Sequence, residues 1–151
     1  MRTICIIPCG SKKIWDKFPH AGPTPARDVY IVAFAGKCQE YAQTFYPDSY
    51  YILSAKYGFL SPDELIPQPY NVTFKDISTN PISVSQLAAI AREKGFADVD
   101  QIVVLAGKDY VRILRAVFPK TKIIEPLNGC RGIGEMMSRV NKALHHNKPI
   151  V

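Results

Sequence analysis

No apolar run in the sequence approaches the roughly 18–20 residues that a membrane-spanning helix requires, so no membrane partner is expected. The opening segment, Met1-Arg2-Thr3-Ile4-Cys5-Ile6-Ile7-Pro8, has too short an apolar stretch for a signal peptide. It leads into Gly10-Ser11-Lys12-Lys13 rather than a small-residue cleavage site, so a buried first strand in a cytoplasmic protein is expected. Cysteine is scarce. Cys5, Cys9, Cys38 and Cys130 form no C-x-x-C pair, and no histidine stands at zinc-ligand spacing from them. Free thiols and no metal site are therefore expected. His20 is the only histidine outside the His145-His146 tail, so no Ser-His-Asp set is visible. Neither G-x-x-x-x-G-K-[ST] nor G-x-G-x-x-G occurs, and no cofactor is expected. Internal repeats, low-complexity tails and polybasic runs are likewise absent.

What is present fits one ordinary domain over residues 1–151, with 47% apolar and 21% charged residues. The formal net charge of +6 favours anionic partners through long-range attraction.

Residues 2–8 are a near-continuous apolar run, as expected of a strand covered on both faces. Residues 49–54, 101–106 and 121–125 read the same way. Between them the period is helical. Residues 26–45 carry Val29, Ile31, Val32, Phe34, Ala35, Cys38 and Tyr41 on a broad apolar face and predict one well-buried helix. Ser83 and Gln86 have capping-box spacing, followed by Val84, Leu87, Ala88 and Ala91. Val111, Leu114 and Phe118 mark a third helix, which Pro119 helps to end. Ile133, Met136, Met137, Val140 and Leu144 mark a fourth, running to about His146.

Alternating strands and helices predict an α/β fold: a mostly parallel sheet of four or five strands with helices on both faces, Rossmann-like and three-layered. Residues 55–82 hold Pro62, Pro67, Pro69 and Pro81, which forbid a long helix and make the segment a candidate lid or site wall.

In an open parallel sheet, ligands bind beyond the carboxyl ends of the strands. The segments that follow the strands are Pro8-Cys9-Gly10-Ser11-Lys12-Lys13, Ser54-Ala55-Lys56-Tyr57-Gly58, Ala106-Gly107-Lys108-Asp109-Tyr110 and Leu127-Asn128-Gly129-Cys130-Arg131-Gly132-Ile133-Gly134-Glu135. Each contains a glycine and a Lys or Arg. Glycine admits close approach of a ligand to the backbone, helix starts favour anions, and lysine supplies point charges for phosphate. Any one such loop is ordinary turn material; four of them on one edge predict a single electropositive cleft for a phosphate-bearing ligand.

Within that cleft, Cys9, Ser11, Lys13, Lys56 and Glu135 are the candidate catalytic residues. A lysine in a dry, positive pocket becomes a usable nucleophile or base, and a cysteine near lysines and a helix start tends toward thiolate. Cys9 as a small buried residue and the lysines as solvated charges remain open alternatives. Glu135 is the best-placed carboxylate, at the start of the last helix. Candidate substrate contacts are Gly10, Lys12, Arg27, Ser54, Tyr57, Tyr70, Gly107, Lys108, Tyr110, Asn128, Gly132 and Gly134, with the tyrosines able to stack on a base or simply to pack on the sheet.

Ser54-Ala55-Lys56-Tyr57-Gly58-Phe59-Leu60-Ser61-Pro62, followed by Ile66 and Pro69-Tyr70, resembles the S-A-x-Y-G-x-L-x-P…I-x-P-Y segment of the YaaA peroxide-stress family, with one extra residue between Ile and Pro. Pro8-Cys9-Gly10-Ser11-Lys12-Lys13 is similar to the P-C-x-x-x-K motif of archaeosine synthase, a resemblance that implies Lys13 as a nucleophile toward a nitrile-bearing base. The nearer likeness is to a small bacterial and phage family with P-C-S-x-x-K, P-A-x-x-L-Y, L-S-A-K-Y-G, L-A-G-x-x-Y and G-I-G-E-x-L motifs. Pro25-Ala26-Arg27-Asp28-Val29-Tyr30, Leu105–Tyr110 and Gly132-Ile133-Gly134-Glu135-Met136-Met137 fit it. The leading expectation is an enzyme acting on a nucleotide or on a base within nucleic acid. The rivals are a non-catalytic DNA-binding protein of YaaA type and a small-ligand sensor or interaction module.

Overall fold

Along the first strand, β1 (Thr3–Pro8), Ile4 and Ile6 face one way and Cys5 and Ile7 the other, and all four are buried. That double burial is what a near-continuous apolar strand demands, and it sets the layering of the fold. In the computed structural model, which describes residues 1–150, the further elements are α1 (Ile14–Lys17), β2 (Thr24–Pro25), α2 (Ala26–Val29), α3 (Ala33–Phe45), β3 (Tyr50–Ser54), β4 (Gly58–Leu60) and β5 (Leu65–Ile66). They are followed by α4 (Val84–Glu93), β6 (Gln101–Val104), α5 (Lys108–Val117), β7 (Lys122–Ile124) and α6 (Ile133–His146).

The main sheet has the order β4-β3-β1-β6-β7. Strands β3, β1, β6 and β7 run parallel, with Ile7 beside Ile52 and Cys5 beside Val103, and β4 is an antiparallel edge strand. Cys5, Ile7, Val103 and Leu105 pack under Phe34, Cys38 and Tyr41 of α3 and Val140 of α6. Ile4, Ile6, Ile102 and Val104 pack against Leu87 of α4 and Val111 and Leu114 of α5. The fold is thus the expected three-layered α/β arrangement. The chain moves from β1 to one side for β3, then crosses to the other side for β6. The ends of β1 and β6 therefore flank the switch point where ligand crevices form.

Local chemistry accounts for the helix boundaries. Ser83 Oγ accepts from the Gln86 amide at 3.1 Å, and Gln86 Oε1 accepts from the Ser83 amide at 2.9 Å, completing the capping box of α4. No helix among the described residues is long and apolar enough to cross a membrane.

One expectation fails. Residues 26–45 are two helices, not one, because Tyr30 adopts an extended conformation (φ −93°, ψ 111°). Its backbone pairs with Lys13, and the Ile31 amide donates to the Lys12 carbonyl at 3.1 Å. A tertiary backbone pairing overrides a helical period that runs on uninterrupted in the sequence. Strand β4 and the small β2–β5 ribbon were not expected either. They are two or three residues long, too short for any periodicity to register.

Gly58 starts β4 with φ +78°, and a Cβ there would meet Ile90 Cδ1 at 2.7 Å. Gly95 has the same φ but open space around it. Gly58→Ala is expected to cost about 2 kcal/mol or more and Gly95→Ala about 1 kcal/mol. Urea unfolding midpoints check this; equal losses at both sites would mean that the contact with Ile90 is unimportant.

Candidate functional site

Beyond Pro8 the chain leaves the sheet and runs beneath the start of α3. A Cβ on Gly10 would approach Val32 Cγ2 at 3.1 Å, so glycine there serves close packing of loop on helix. Lys13 then pairs with Tyr30 and opens α1, where its amide donates to Asp16 Oδ2 at 2.8 Å. With this backbone pinned on both sides, the Lys13 side chain turns inward and is only 7% exposed. Its Nζ donates to the Ser11 carbonyl at 3.3 Å and lies 4.6 Å from the centroid of the Tyr70 ring. Ser11, Lys13, Trp15, Asp16, Pro69, Tyr70 and Asn71 line a cleft of about 530 Å³. The proline-rich segment is therefore a wall of this cleft, contributing Pro69, Tyr70 and Asn71.

Behind the cleft stands a connected set of polar and aromatic groups. The Tyr70 hydroxyl bonds to Ser54 Oγ at 3.1 Å and to the Tyr30 hydroxyl. Ser54 Oγ accepts from the amides of Lys56 and Tyr57, at 3.2 and 3.1 Å. The Tyr57 and Tyr70 rings meet edge to face at 5.3 Å, and Lys56 Nζ lies 5.5 Å from the Tyr70 centroid. At the switch point, the Tyr110 hydroxyl stands 3.3 Å from Cys9 Sγ, and Phe74 packs edge-on against Tyr110 at 5.8 Å.

The electrostatics follow from burial. Desolvation lowers the pKa of Lys13, opposed by the nearby Cys9 and Asp16. Burial pushes the Tyr70 phenol up to about 12 and raises Tyr30 and Tyr110 as well. These three phenols stay protonated at neutral pH and can act as hydrogen-bond donors. Lys13 forms no ion pair among the described residues, so a desolvated amine faces the cleft without a carboxylate to fix its proton.

Cys9, Ser11, Lys13, Ser54, Lys56, Tyr57, Tyr70 and Tyr110 are brought into this neighbourhood. Other candidates are held elsewhere or face solvent. Arg27 is paired with Asp63 and Asp28 on the surface. Lys12 is exposed while its carbonyl serves the bridge to Ile31. Gly107 and Lys108 open α5, with Lys108 exposed. Asn128 is exposed and its carbonyl accepts from Arg139 at 2.9 Å. Gly132 and Gly134 are exposed, and Gly134 belongs to a shallow hollow of about 460 Å³ along α6. Glu135 accepts from the Arg131 amide at 2.9 Å and from Arg131 Nε at 2.8 Å. These bonds hold its carboxyl below the usual range and make it a cap for its own loop.

Trp15, Asp16, Tyr30, Asn71 and Phe74 escaped sequence reasoning. Tyr30 had a signal, since it closes the Pro25–Tyr30 motif; the others had none. Among the described residues, no group of three His, Cys, Asp or Glu side chains could hold a metal ion.

These features define a small α/β protein with a five-stranded mixed sheet and a buried lysine beside the carboxyl ends of its strands. The chain belongs to a family of unknown function, DUF6884, whose profile matches residues 4–142. It is 44% identical over 145 residues to the uncharacterized protein YfjM of Bacillus subtilis (strain 168), covering 95% of this chain and 96% of that one. Among solved structures, that of AF0587, a protein of unknown function, aligns with 93% of this chain at a TM-score of 0.44 and 12% identity. This chain spans 43% of that protein's length.

Lys13→Met keeps the apolar stem but removes the desolvated ammonium, and is expected to raise the urea midpoint at pH 7. The folded amine binds its proton less tightly than the unfolded one, so wild-type stability rises with pH toward the ordinary lysine range and the gap narrows. A midpoint at pH 7 that is unchanged or lower would contradict this account of a buried, unneutralised charge.

Proposed function

We propose that this protein is a cytoplasmic enzyme acting on a nucleotide, or on a single base within nucleic acid, with the Lys13 amine as its reactive group. The observation that carries the reading is Lys13 Nζ: buried, desolvated, without an ion pair among the described residues, and lining a cleft of about 530 Å³. Lowering the pKa of a primary amine makes its unprotonated form, which carries the electron pair needed to attack an electrophilic carbon or to accept a proton, easier to reach. The similarity of Pro8–Lys13 to the P-C-x-x-x-K motif of archaeosine synthase supports the same residue in the same role. The cleft has flat apolar walls at Trp15 and Tyr70, suited to the face of a base, and polar groups at Ser11, Asp16 and Asn71, suited to its edge. Lys56, exposed beside the Tyr70 ring, supplies a charge for phosphate. Cys9 and Tyr110, hydrogen-bonded to each other at the switch point, add a thiol and a protonated phenol that can hydrogen-bond a ligand nearby.

The net charge of +6 also suits a non-catalytic nucleic-acid-binding protein, and substitutions separate the two readings. Titration calorimetry with nucleoside monophosphates and short single-stranded oligonucleotides is paired with mass spectrometry of the incubated ligand. Lys13→Ala and Lys56→Ala are each expected to weaken binding on the order of tenfold, the worth of a charge-assisted contact. Lys13→Arg keeps the charge but not a titratable amine, so it is expected to bind and yet abolish turnover. Binding that falls steeply with salt indicates a polymer ligand; a shallow dependence indicates a free nucleotide. Wild-type behaviour of both alanine variants would sink the site.

A further inference from the structure

We propose that Tyr70 is a positioning residue that holds the Lys13 amine in place, and that Ser54 is the buried anchor of Tyr70. Ser54 is fully buried. Its Oγ accepts from the Lys56 amide at 3.2 Å and from the Tyr57 amide at 3.1 Å. A hydroxyl oxygen has two lone pairs and one proton. Both lone pairs are thereby occupied, and the proton is left for the Tyr70 hydroxyl at 3.1 Å. Ser54 therefore donates to Tyr70 and has nothing left to offer a ligand. The Tyr70 hydroxyl shares a second hydrogen bond with Tyr30.

These links close a circuit. The Lys13 backbone pairs with that of Tyr30, the Tyr30 phenol bonds to that of Tyr70, and the Tyr70 ring centroid lies 4.6 Å from Lys13 Nζ. Residue 13 is thus held at both ends by the same pair of tyrosines. The titratable groups around its amine are Cys9 from the loop after β1, Asp16 from α1 and Tyr70, with Lys56 near the same Tyr70 ring. Asp16 is turned to the Lys13 amide, so the face of a ring, rather than a carboxylate, meets the ammonium. Lys56 Nζ lies 5.5 Å from the same centroid and 5.3 Å from that of Tyr57, so the Tyr70 ring stands near both lysines.

The functional consequence rests on Lys13 being the working amine of the proposed reaction, but the test needs no substrate. Lysines are dimethylated with isotope-labelled formaldehyde and their N-methyl signals followed against pH. Lys13 is assigned by the signal missing from Lys13→Arg. Wild-type Lys13 should titrate below the exposed lysines, and Tyr70→Ala should bring it up to them. Tyr70→Phe keeps the ring and deletes only its hydroxyl; Ser54→Ala deletes the anchor without touching the amine. Each should raise the Lys13 titration by roughly half a pH unit, because a ring freed from its tether admits water. If Ser54→Ala fails to fold, Tyr70→Phe decides alone. A folded Tyr70→Phe protein whose Lys13 titrates as in the wild type overturns the proposal, and so does a wild-type Lys13 that titrates with the surface lysines. Failure to bind any nucleotide, with the titration shifts intact, would instead count only against the proposed reaction.

Discussion

The backbone pairing of Lys13 with Tyr30 is the constraint on which the rest of the site depends. It draws the loop after β1 against the segment between α2 and α3, and it interrupts a helix that the local sequence would otherwise continue. Breaking the helix frees backbone groups that must find partners elsewhere, and the Ile31 amide finds one in the Lys12 carbonyl. In exchange, Tyr30 points its phenol inward, where it meets Tyr70. The interruption is therefore the means by which the proline-rich segment is tied to the end of β1.

Around this bridge the protein tolerates an unfavourable placement of charge. Burying an ammonium costs free energy unless a counter-charge or hydrogen bonds compensate it. Here the nearby carboxylate of Asp16 caps the first turn of α1 instead. What meets Lys13 is the Ser11 carbonyl and the electron-rich face of Tyr70. Elsewhere Arg2, Arg27, Lys37, Lys94, Arg112, Arg115 and Arg131 sit in ion pairs near the surface, whereas Lys12, Lys56 and Lys108 are exposed to water. A cation desolvated beside a cleft costs stability, and groups with a shifted affinity for protons of this kind are where chemistry is sought.

Much of the frame is legible in the chain itself. The apolar runs at 2–8, 49–54, 101–106 and 121–125 each contain an observed parallel strand, and the capping box at Ser83 and the proline at 119 lie at real helix ends. The loops after those strands also emerge on one edge of the sheet, as parallel order requires. The loop after β7 nevertheless supplies nothing to the lysine cleft: Gly134 faces a separate hollow, and Glu135 is spent on Arg131. Sharing an edge is a property of topology, whereas sharing a pocket depends on where each loop folds back, and composition carries no record of that.

The sequence by itself determined the layers of this protein, because double burial of β1 and the amphipathic helices follow from periodic hydrophobicity, which is local. It also marked Lys13, Lys56 and the loop starts as chemically capable. Only the tertiary structure decided which of these stand together at a cleft. The desolvation of Lys13 and the docking of Tyr70 between Ser54 and Tyr30 arise from contacts between residues far apart in the chain, Lys13 with Tyr70 and Tyr30 with Tyr70 among them. A side chain acquires an altered affinity for its proton from what surrounds it in space, and those surroundings exist only once the chain has closed on itself.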